Sequence, residues 1–501
     1  MKSQVNQRFS LVPVVILLVA FVLRIANLTG ESLWRDEVDS VRFAFQPLRT
    51  ILGNFTTTGF NGPLYHLSLR VWLTLAGVND FALRYLSLVC GVALVALVYA
   101  LAQRLFDRRT ALVAAWLGAL SPALIWYAGE GKMYTLQPLL LVLALYALVR
   151  AVGARRSRSW WLICIVSTSF SFYTHLLSPL FLVVAVVFFV ALWPQSRAHV
   201  RGGLIALACL TLPYLPLAIW QLPTVIHGGD VGHTFYPLDV IARTLLANWT
   251  VGLDGRAPLL DSATAPAAVD GARWLVLALY VALMLYGVLS ASTARQTRLS
   301  LAVLAWLALP TLMVFGVSLR FPVFQPRYLL WSAPALYILV GIGLAQAWRE
   351  GALGRWAAQL AVVLLSMVCV VGWTAQVIHP IRPDLRGATS TIVQGLQPGD
   401  AVVFQIPYGR YGFEYYAPHF GLDPTQVHIV EAPYTNYGMG EDEVTMTMTQ
   451  TLGGARRVWL YETEAEMWDM RALVRAWADR DLHLIDNYDL RGVRVGLYTL
   501  P

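Results

Sequence analysis

Residues 11–37 read LVPVVILLVAFVLRIANLTGESLWRDE, and this stretch decides the class of the fold. Residues 11–23 are almost entirely apolar, and the run continues to about Leu28. A membrane span needs roughly 20 mainly apolar residues, so the run reads as a first span. No Ala-x-Ala-like site follows it, which favours an anchor over a cleaved signal peptide. Just beyond it lie two adjacent carboxylates, Asp36 and Glu37. A carboxylate past the hydrocarbon edge is easily hydrated, yet it sits where the head group of a membrane-embedded substrate would lie. Charges beside spans are functional candidates by default.

Composition extends this reading to the whole chain. Of 501 residues, 57% are hydrophobic and 13% charged, against about 25% charged in soluble domains. Mean hydropathy is +0.58. The same length criterion predicts eleven spans, near 10–28, 81–103, 110–128, 133–150, 160–177, 179–194, 203–220, 274–291, 299–318, 328–347 and 357–377. Cys90, Cys164, Cys209 and Cys369 all fall inside apolar runs, which argues against a disulfide framework or a zinc site.

The net charge of +8 is not a nucleic-acid signal, because the basic residues sit in short loops between apolar runs. With a cytoplasmic N-terminus, the short inner pieces hold fifteen basic residues and only two acidic ones, Asp107 and Glu350. Asp36, Glu37, Asp39, Glu130 and Asp239 fall on the opposite side. One orientation therefore satisfies the positive-inside tendency in every short loop. In the first outer loop, Pro63 to Ala76 is apolar but too short to span, and reads as an amphipathic helix at the interface. The outer loop 221–273 carries His227, Asp230 and His233, a weak metal-like spacing.

After Trp373 the apolar runs shrink to strand length. Residues 401–404, 427–430, 457–461 and 482–485 read as short buried strands. Helical stretches lie near 388–396, 409–417, 441–452 and 464–480. Alternating strands and helices predict a small α/β domain with a largely parallel sheet. The expected division is a transmembrane domain over 1–378 and a soluble domain over 379–501. The soluble part carries no phosphate loop or metal spacing, so a stabilising or acceptor-docking role is favoured over a catalytic one. The fold class is thus an α-helical polytopic membrane protein of about eleven transmembrane helices, with interfacial helices in the first outer loop, plus a small extracytoplasmic α/β domain.

Four segments then carry a family resemblance. They are Trp34-Arg35-Asp36-Glu37; Gly62-Pro63-Leu64-Tyr65-His66 with Phe81-Ala82-Leu83-Arg84; Ser121-Pro122 leading to Tyr127-Ala128-Gly129-Glu130-Gly131-Lys132-Met133-Tyr134; and Gln325-Pro326-Arg327-Tyr328. Pro383-Asp384-Leu385-Arg386-Gly387 resembles bacterial members as well. In order and placement these segments resemble the C superfamily of membrane glycosyltransferases. Within it they resemble the protein O-mannosyltransferase and aminoarabinose transferase group. The resemblance implies a polyprenyl-phosphate sugar donor, inversion at the anomeric carbon, and the first-loop acidic residue as base.

The residues can support that chemistry. Attack by an acceptor hydroxyl needs a proton acceptor. A lipid phosphate leaves as a stable anion and needs no general acid, unlike the two-carboxylate scheme of glycoside hydrolysis. Asp36 is the candidate base, and Glu37 either orients it or binds acceptor or metal. The alternative for both is an ion pair with Arg35 or Arg84. Lys132 is one of only two lysines beside thirty-five arginines, and its compact ammonium suits a phosphate oxygen. Its alternatives are snorkelling or a pair with Glu130. Arg327 can contact phosphate bidentately or act as an interfacial anchor. Tyr65, His66 and Tyr134, with Glu130, are candidates for the sugar pocket. Glu130 and His175 are a candidate pair for a divalent metal ion.

The partners expected are the lipid-linked donor, an acceptor protein, glycan or glycolipid, and the membrane, with no nucleic acid. Arginine-rich, lysine-poor usage and the style of the C-terminal domain point to a bacterial inner membrane. The competing reading is a transporter or flippase of lipid-linked sugars. It would show internal repeats and midspan charges, whereas the carboxylates and Lys132 cluster at outer span ends.

Overall fold

The computed structural model describes residues 11–53, 57, 60–154, 157–220, 234–252 and 267–500. His227, Asp230 and His233 lie outside the described residues. The chain divides into two compact units. One comprises Met1–Leu28 and Gln46–His379; the other joins Thr29–Phe45 to Pro380–Pro501.

The first unit is helical. Among the described residues six helices are long and apolar enough to cross a membrane: Asp80–Leu105, Leu136–Gly153, Gln195–Trp220, Ala294–Ser318, Pro326–Ala347 and Ala352–Ile378. The pair Arg108–Leu120 and Pro122–Ala128, bent by 57°, passes the same test taken together and is either a broken span or a re-entrant loop. Val12–Ile25, Ser178–Ala191 and Arg273–Leu289 are shorter apolar helices, and Arg158–Phe172 adds fifteen residues. The eleven apolar stretches of the sequence fall on these segments. By length and composition six qualify as full spans, or seven with the bent pair, and the rest fold as shorter helices.

The bend has a clear cause. Pro122 has no N–H to give the carbonyl of Gly118, so the helix stops at Leu120. Ser121 caps the next helix by accepting from the N–H of Leu124 at 3.3 Å. Arg24, fully buried on Val12–Ile25, supplies the missing donors. Its guanidinium reaches the carbonyls of Gly118 at 3.2 Å and Ala119 at 3.0 Å. It also returns to its own helix at Ala20. The Tyr337 hydroxyl joins the same break: it donates to the Trp249 carbonyl at 2.8 Å and lies 2.6 Å from the Ser121 hydroxyl. Broken helices in apolar surroundings persist only where such partners exist.

The stretch expected to lie at the interface forms a helix at Leu64–Ala76. It buries Tyr65, Leu69 and Leu73 at fourfold spacing and exposes Val71 and Leu75. Its entry is set by Gly62. A Cβ there would lie 2.2 Å from the carbonyl oxygen of Tyr173, the same oxygen that accepts the N–H of Leu64 at 2.9 Å.

The second unit contains a five-stranded sheet ordered β2-β1-β3-β5-β4. The strands are β1 (Asp400–Phe404), β2 (His428–Glu431), β3 (Arg457–Thr463), β4 (His483–Leu490) and β5 (Val493–Thr499). The pairs β1/β2 and β1/β3 are parallel, and β3/β5 and β4/β5 are antiparallel. The sheet is therefore mixed rather than largely parallel. The strand missing from the sequence reading is β5. It returns from β4 through the two-residue turn Arg491-Gly492, where Gly492 has φ +66°, a conformation that favours glycine. The interior strand β1, between β2 and β3, is buried throughout. Asp400 at its start accepts from Arg457 at 2.6 Å and from the Trp459 indole at 3.0 Å. The expected helix over 464–480 is divided: a 3-10 turn at Ala465–Met467 precedes a helix at Leu473–Asp481.

Candidate active site

Asp36 and Glu37 open the helix Arg35–Ala44, in the unit that contains the sheet. Carboxylates in a first helical turn complement the exposed N–H groups there. The two side chains have different surroundings. Asp36 is about one-fifth exposed, at 21%. Glu37 is fully buried; its carboxylate accepts from the Trp34 N–H at 3.4 Å and faces the Arg382 guanidinium at 3.9 Å.

Residues from the C-terminal part surround this segment. Glu31 accepts the backbone N–H groups of Ile381 and Arg382, at 3.2 and 2.8 Å. The Ser32 hydroxyl donates to the Pro383 carbonyl at 2.7 Å. The Leu33 N–H donates to the Tyr416 hydroxyl at 2.7 Å. Arg42 lies over the Tyr411 ring, 3.1 Å from its centroid. Arg35 pairs with Glu464 at 2.9 Å and stands 3.9 Å from Asp36.

Arg84 lies in the other unit. It is buried and donates to the Leu28 carbonyl at 2.8 Å, so a helix-end carbonyl takes up one of its donors.

In the helical unit, the remaining candidates gather from four separate segments. Tyr65 and His66 begin the interfacial helix and pack edge to face, 5.8 Å between ring centroids. The Tyr65 hydroxyl stands 3.4 Å from the Ser87 hydroxyl. Ser87 in turn donates to the Lys132 carbonyl at 3.0 Å and accepts, through its own carbonyl, from Thr135 at 2.9 Å. These bonds tie the loop 131–135 to the helix Asp80–Leu105. Burial and the nearby Lys132 ammonium hold the His66 imidazole neutral, pulling its pKa down to about 3.

Two residues beyond Lys132, Tyr134 leads into an aromatic group. Its ring centroid lies 5.7 Å from Tyr127, 6.4 Å from His175 and 6.5 Å from Tyr328. The rings of His175 and Tyr328 are 4.9 Å apart. The Arg327 guanidinium sits over Tyr134 and Tyr328, at 5.4 and 5.8 Å. Arg327 is thus brought over Tyr134, while the Lys132 ammonium lies near His66.

Glu130 and His175 are both buried, at 1% and 2% exposed. Among the described residues no group of three or more His, Cys, Asp or Glu side chains could hold a metal ion. Sequence reasoning missed Ser87, Arg382, Glu31 and Glu464. Arg382 stands directly before the noted Pro383-Asp384 segment, and that adjacency was its only signal.

The comparisons follow this geometry. Residues 61–220 match the family model described as dolichyl-phosphate-mannose-protein mannosyltransferase. Among curated protein sequences, none matches the chain. Among solved structures, the chain is similar to ArnT from Cupriavidus metallidurans in the apo state. The identity is 14%, with 97% of each chain covered and a TM-score of 0.60. The same protein bound to undecaprenyl phosphate matches at 15% identity and TM-score 0.57, again over 97% of each chain. The oligosaccharyltransferase of Archaeoglobus fulgidus, solved with zinc and sulfate, matches at 14% identity and TM-score 0.58. That match covers 98% of this chain and 73% of the other. The chain is thus similar to the mannosyltransferase family model over 61–220 and, in fold, to ArnT and the archaeal oligosaccharyltransferase over nearly its whole length.

Proposed function

We propose that the protein is an inverting glycosyltransferase. It moves a sugar from a polyprenyl-phosphate donor to an acceptor hydroxyl at the outer membrane-water interface. The observation that carries this reading is the Arg327 guanidinium over Tyr134 and Tyr328, from a distant part of the chain, with Lys132 two residues before Tyr134. Two cations against an aromatic wall suit a phosphate monoanion joined to a sugar. The undecaprenyl phosphate bound by ArnT, whose fold this chain shares, supports the same donor class.

Asp36 accepts the proton of the acceptor hydroxyl as its oxygen attacks the anomeric carbon. The bond from that carbon to the phosphate oxygen breaks with inversion, and the lipid phosphate leaves as an anion neutralised by Lys132 and Arg327. Partial exposure suits Asp36 to meet an acceptor, whereas burial beside Arg382 suits Glu37 to hold the helix in place. Tyr65, His66, Tyr134 and Glu130 border the sugar. The charge asymmetry of the loops supports a bacterial inner membrane with the N-terminus inside and the soluble domain outside. The transporter reading draws no support from the likenesses.

The test uses full-length protein in nanodiscs with undecaprenyl-phosphate-linked mannose, glucose, galactose and aminoarabinose. Wild type should release sugar from at least one, to water or to an added acceptor. Asp36→Asn should lose at least about a hundredfold in rate with an unchanged melting temperature. Lys132→Ala should chiefly weaken undecaprenyl phosphate binding. Full turnover by Asp36→Asn, or no turnover of any donor by wild type, would overturn the reading.

A further inference from the structure

Arg35 stands next to the proposed base, and a guanidinium in close contact with a carboxylate makes it a poorer proton acceptor. In this structure the guanidinium is engaged elsewhere. Its Nη1 lies 2.9 Å from a Glu464 carboxylate oxygen and 3.1 Å from the Met467 sulfur. Its plane lies over the Tyr408 ring, 5.3 Å from the centroid. Its contact with Asp36, from Nε, is at the long limit of an ion pair, 3.9 Å. Three residues of the C-terminal part therefore clasp Arg35, and Glu464 is the one that carries charge.

Glu464 is itself unusual. It sits immediately after β3 with φ +46° and ψ +39°, a left-handed conformation. For a residue with a Cβ this conformation is strained, and glycine would remove the strain. Strain kept at one position points to a side chain that is needed there. Burial, and then the carboxylates of Asp36 and Asp39, hold the Glu464 carboxyl above its ordinary range against the opposing pull of Arg35. Glu464 and Asp36 thus flank one guanidinium and feel each other's charge.

We propose that Glu464 is a positioning residue for the reaction: it holds the Arg35 guanidinium off Asp36, so that Asp36 keeps the basicity its role requires. This rests on the glycosyltransferase reading with Asp36 as base. It assigns the C-terminal domain a part in catalysis, through one ion pair to the segment that carries the base.

The experiment compares Glu464→Gln, Glu464→Gly, Arg35→Gln and the Arg35→Gln/Glu464→Gln double variant, as full-length protein in nanodiscs, on a donor that wild type turns over. Glu464→Gln should lower kcat roughly three- to tenfold, as a weaker base would, with donor KM changed less than about twofold. The double variant should recover most of that loss, because the cation that would otherwise settle on Asp36 is gone. Glu464→Gly should lose the same rate while its melting temperature stays level or rises, which separates a positioning role from misfolding. Wild-type kcat in Glu464→Gln, or a double variant no faster than Glu464→Gln alone, would overturn the inference. Asp36→Asn serves as the reference. If it is inactive while Glu464→Gln is fully active, only the Glu464 role fails; if it is active, the base assignment fails and this inference with it.

Discussion

Asp36 and Glu37 are neighbours in sequence with the same chemistry, and burial separates their roles. One is partly open and the other is enclosed with Arg382 and the Trp34 N–H. A similar sorting applies to the histidines of the helical unit. His66 was legible as a candidate only because it follows Tyr65 in a family-like segment. Its protonation state required the surrounding packing. Because its pKa is depressed from 6.5 to about 3, the neutral form is the one that fits the folded state. Its stabilising contribution is present above 6.5 and is lost as pH falls through that value toward 3. Thermal melts of detergent-purified protein should therefore show a melting temperature that falls as pH drops below 6.5. His66→Gln should flatten that slope. An unchanged slope in His66→Gln would place the acid sensitivity elsewhere.

At the scale of elements, the bent pair Arg108–Leu120 and Pro122–Ala128 shows why apolar length alone predicts a span but not its shape. Residues 110–128 read as one stretch, and Ser121-Pro122 was noted only as part of a motif. The break exists because a proline removes a donor, and it persists because Arg24, on another helix, supplies two. Arg24 lies nearly a hundred residues away, so no local pattern could have paired it with Gly118 and Ala119. Arg24→Ala should leave those carbonyls short of donors in apolar surroundings and cost about 3 kcal/mol or more. The expected result is a large loss of monodisperse protein in size-exclusion profiles after detergent extraction, with partial recovery in Arg24→Lys. Profiles like wild type in Arg24→Ala would refute this role. The C-terminal sheet gives a related lesson. The four strands that lie between helices were visible as apolar runs. The fifth was not, because β5 interleaves Arg494 and Gly496 with its apolar residues instead of forming an apolar run. Only the +66° backbone of Gly492 reveals the hairpin.

At the scale of the whole molecule, residues 29–45 fold with residues 380–501. The bonds from Glu31, Ser32, Leu33 and Arg35 to Arg382, Pro383, Tyr416 and Glu464 hold them there. Truncation after His379 removes all of those partners. The shortened protein should still insert in membranes, because its apolar helices are intact. It should lose donor turnover, and Arg35 should become a site of rapid tryptic cleavage. Protection of Arg35 in the truncated protein, seen by limited proteolysis and mass spectrometry, would mean that the segment holds its structure without the sheet.

The sequence by itself determined that this is a helical membrane protein with a small α/β domain after its last apolar helix. Apolar length and strand-helix alternation are local properties that survive in any arrangement. It also singled out Asp36, Lys132, Tyr134 and Arg327, because rare charges and aromatics at span ends stand out against an apolar chain. The tertiary structure alone decided which of those groups meet. It set Arg327 over Tyr134, buried Glu37 but not Asp36, and joined the acidic helix to a domain more than three hundred residues away. Hydrogen bonds and ion pairs between distant residues depend on how the backbone brings them within reach, and no local pattern encodes that distance.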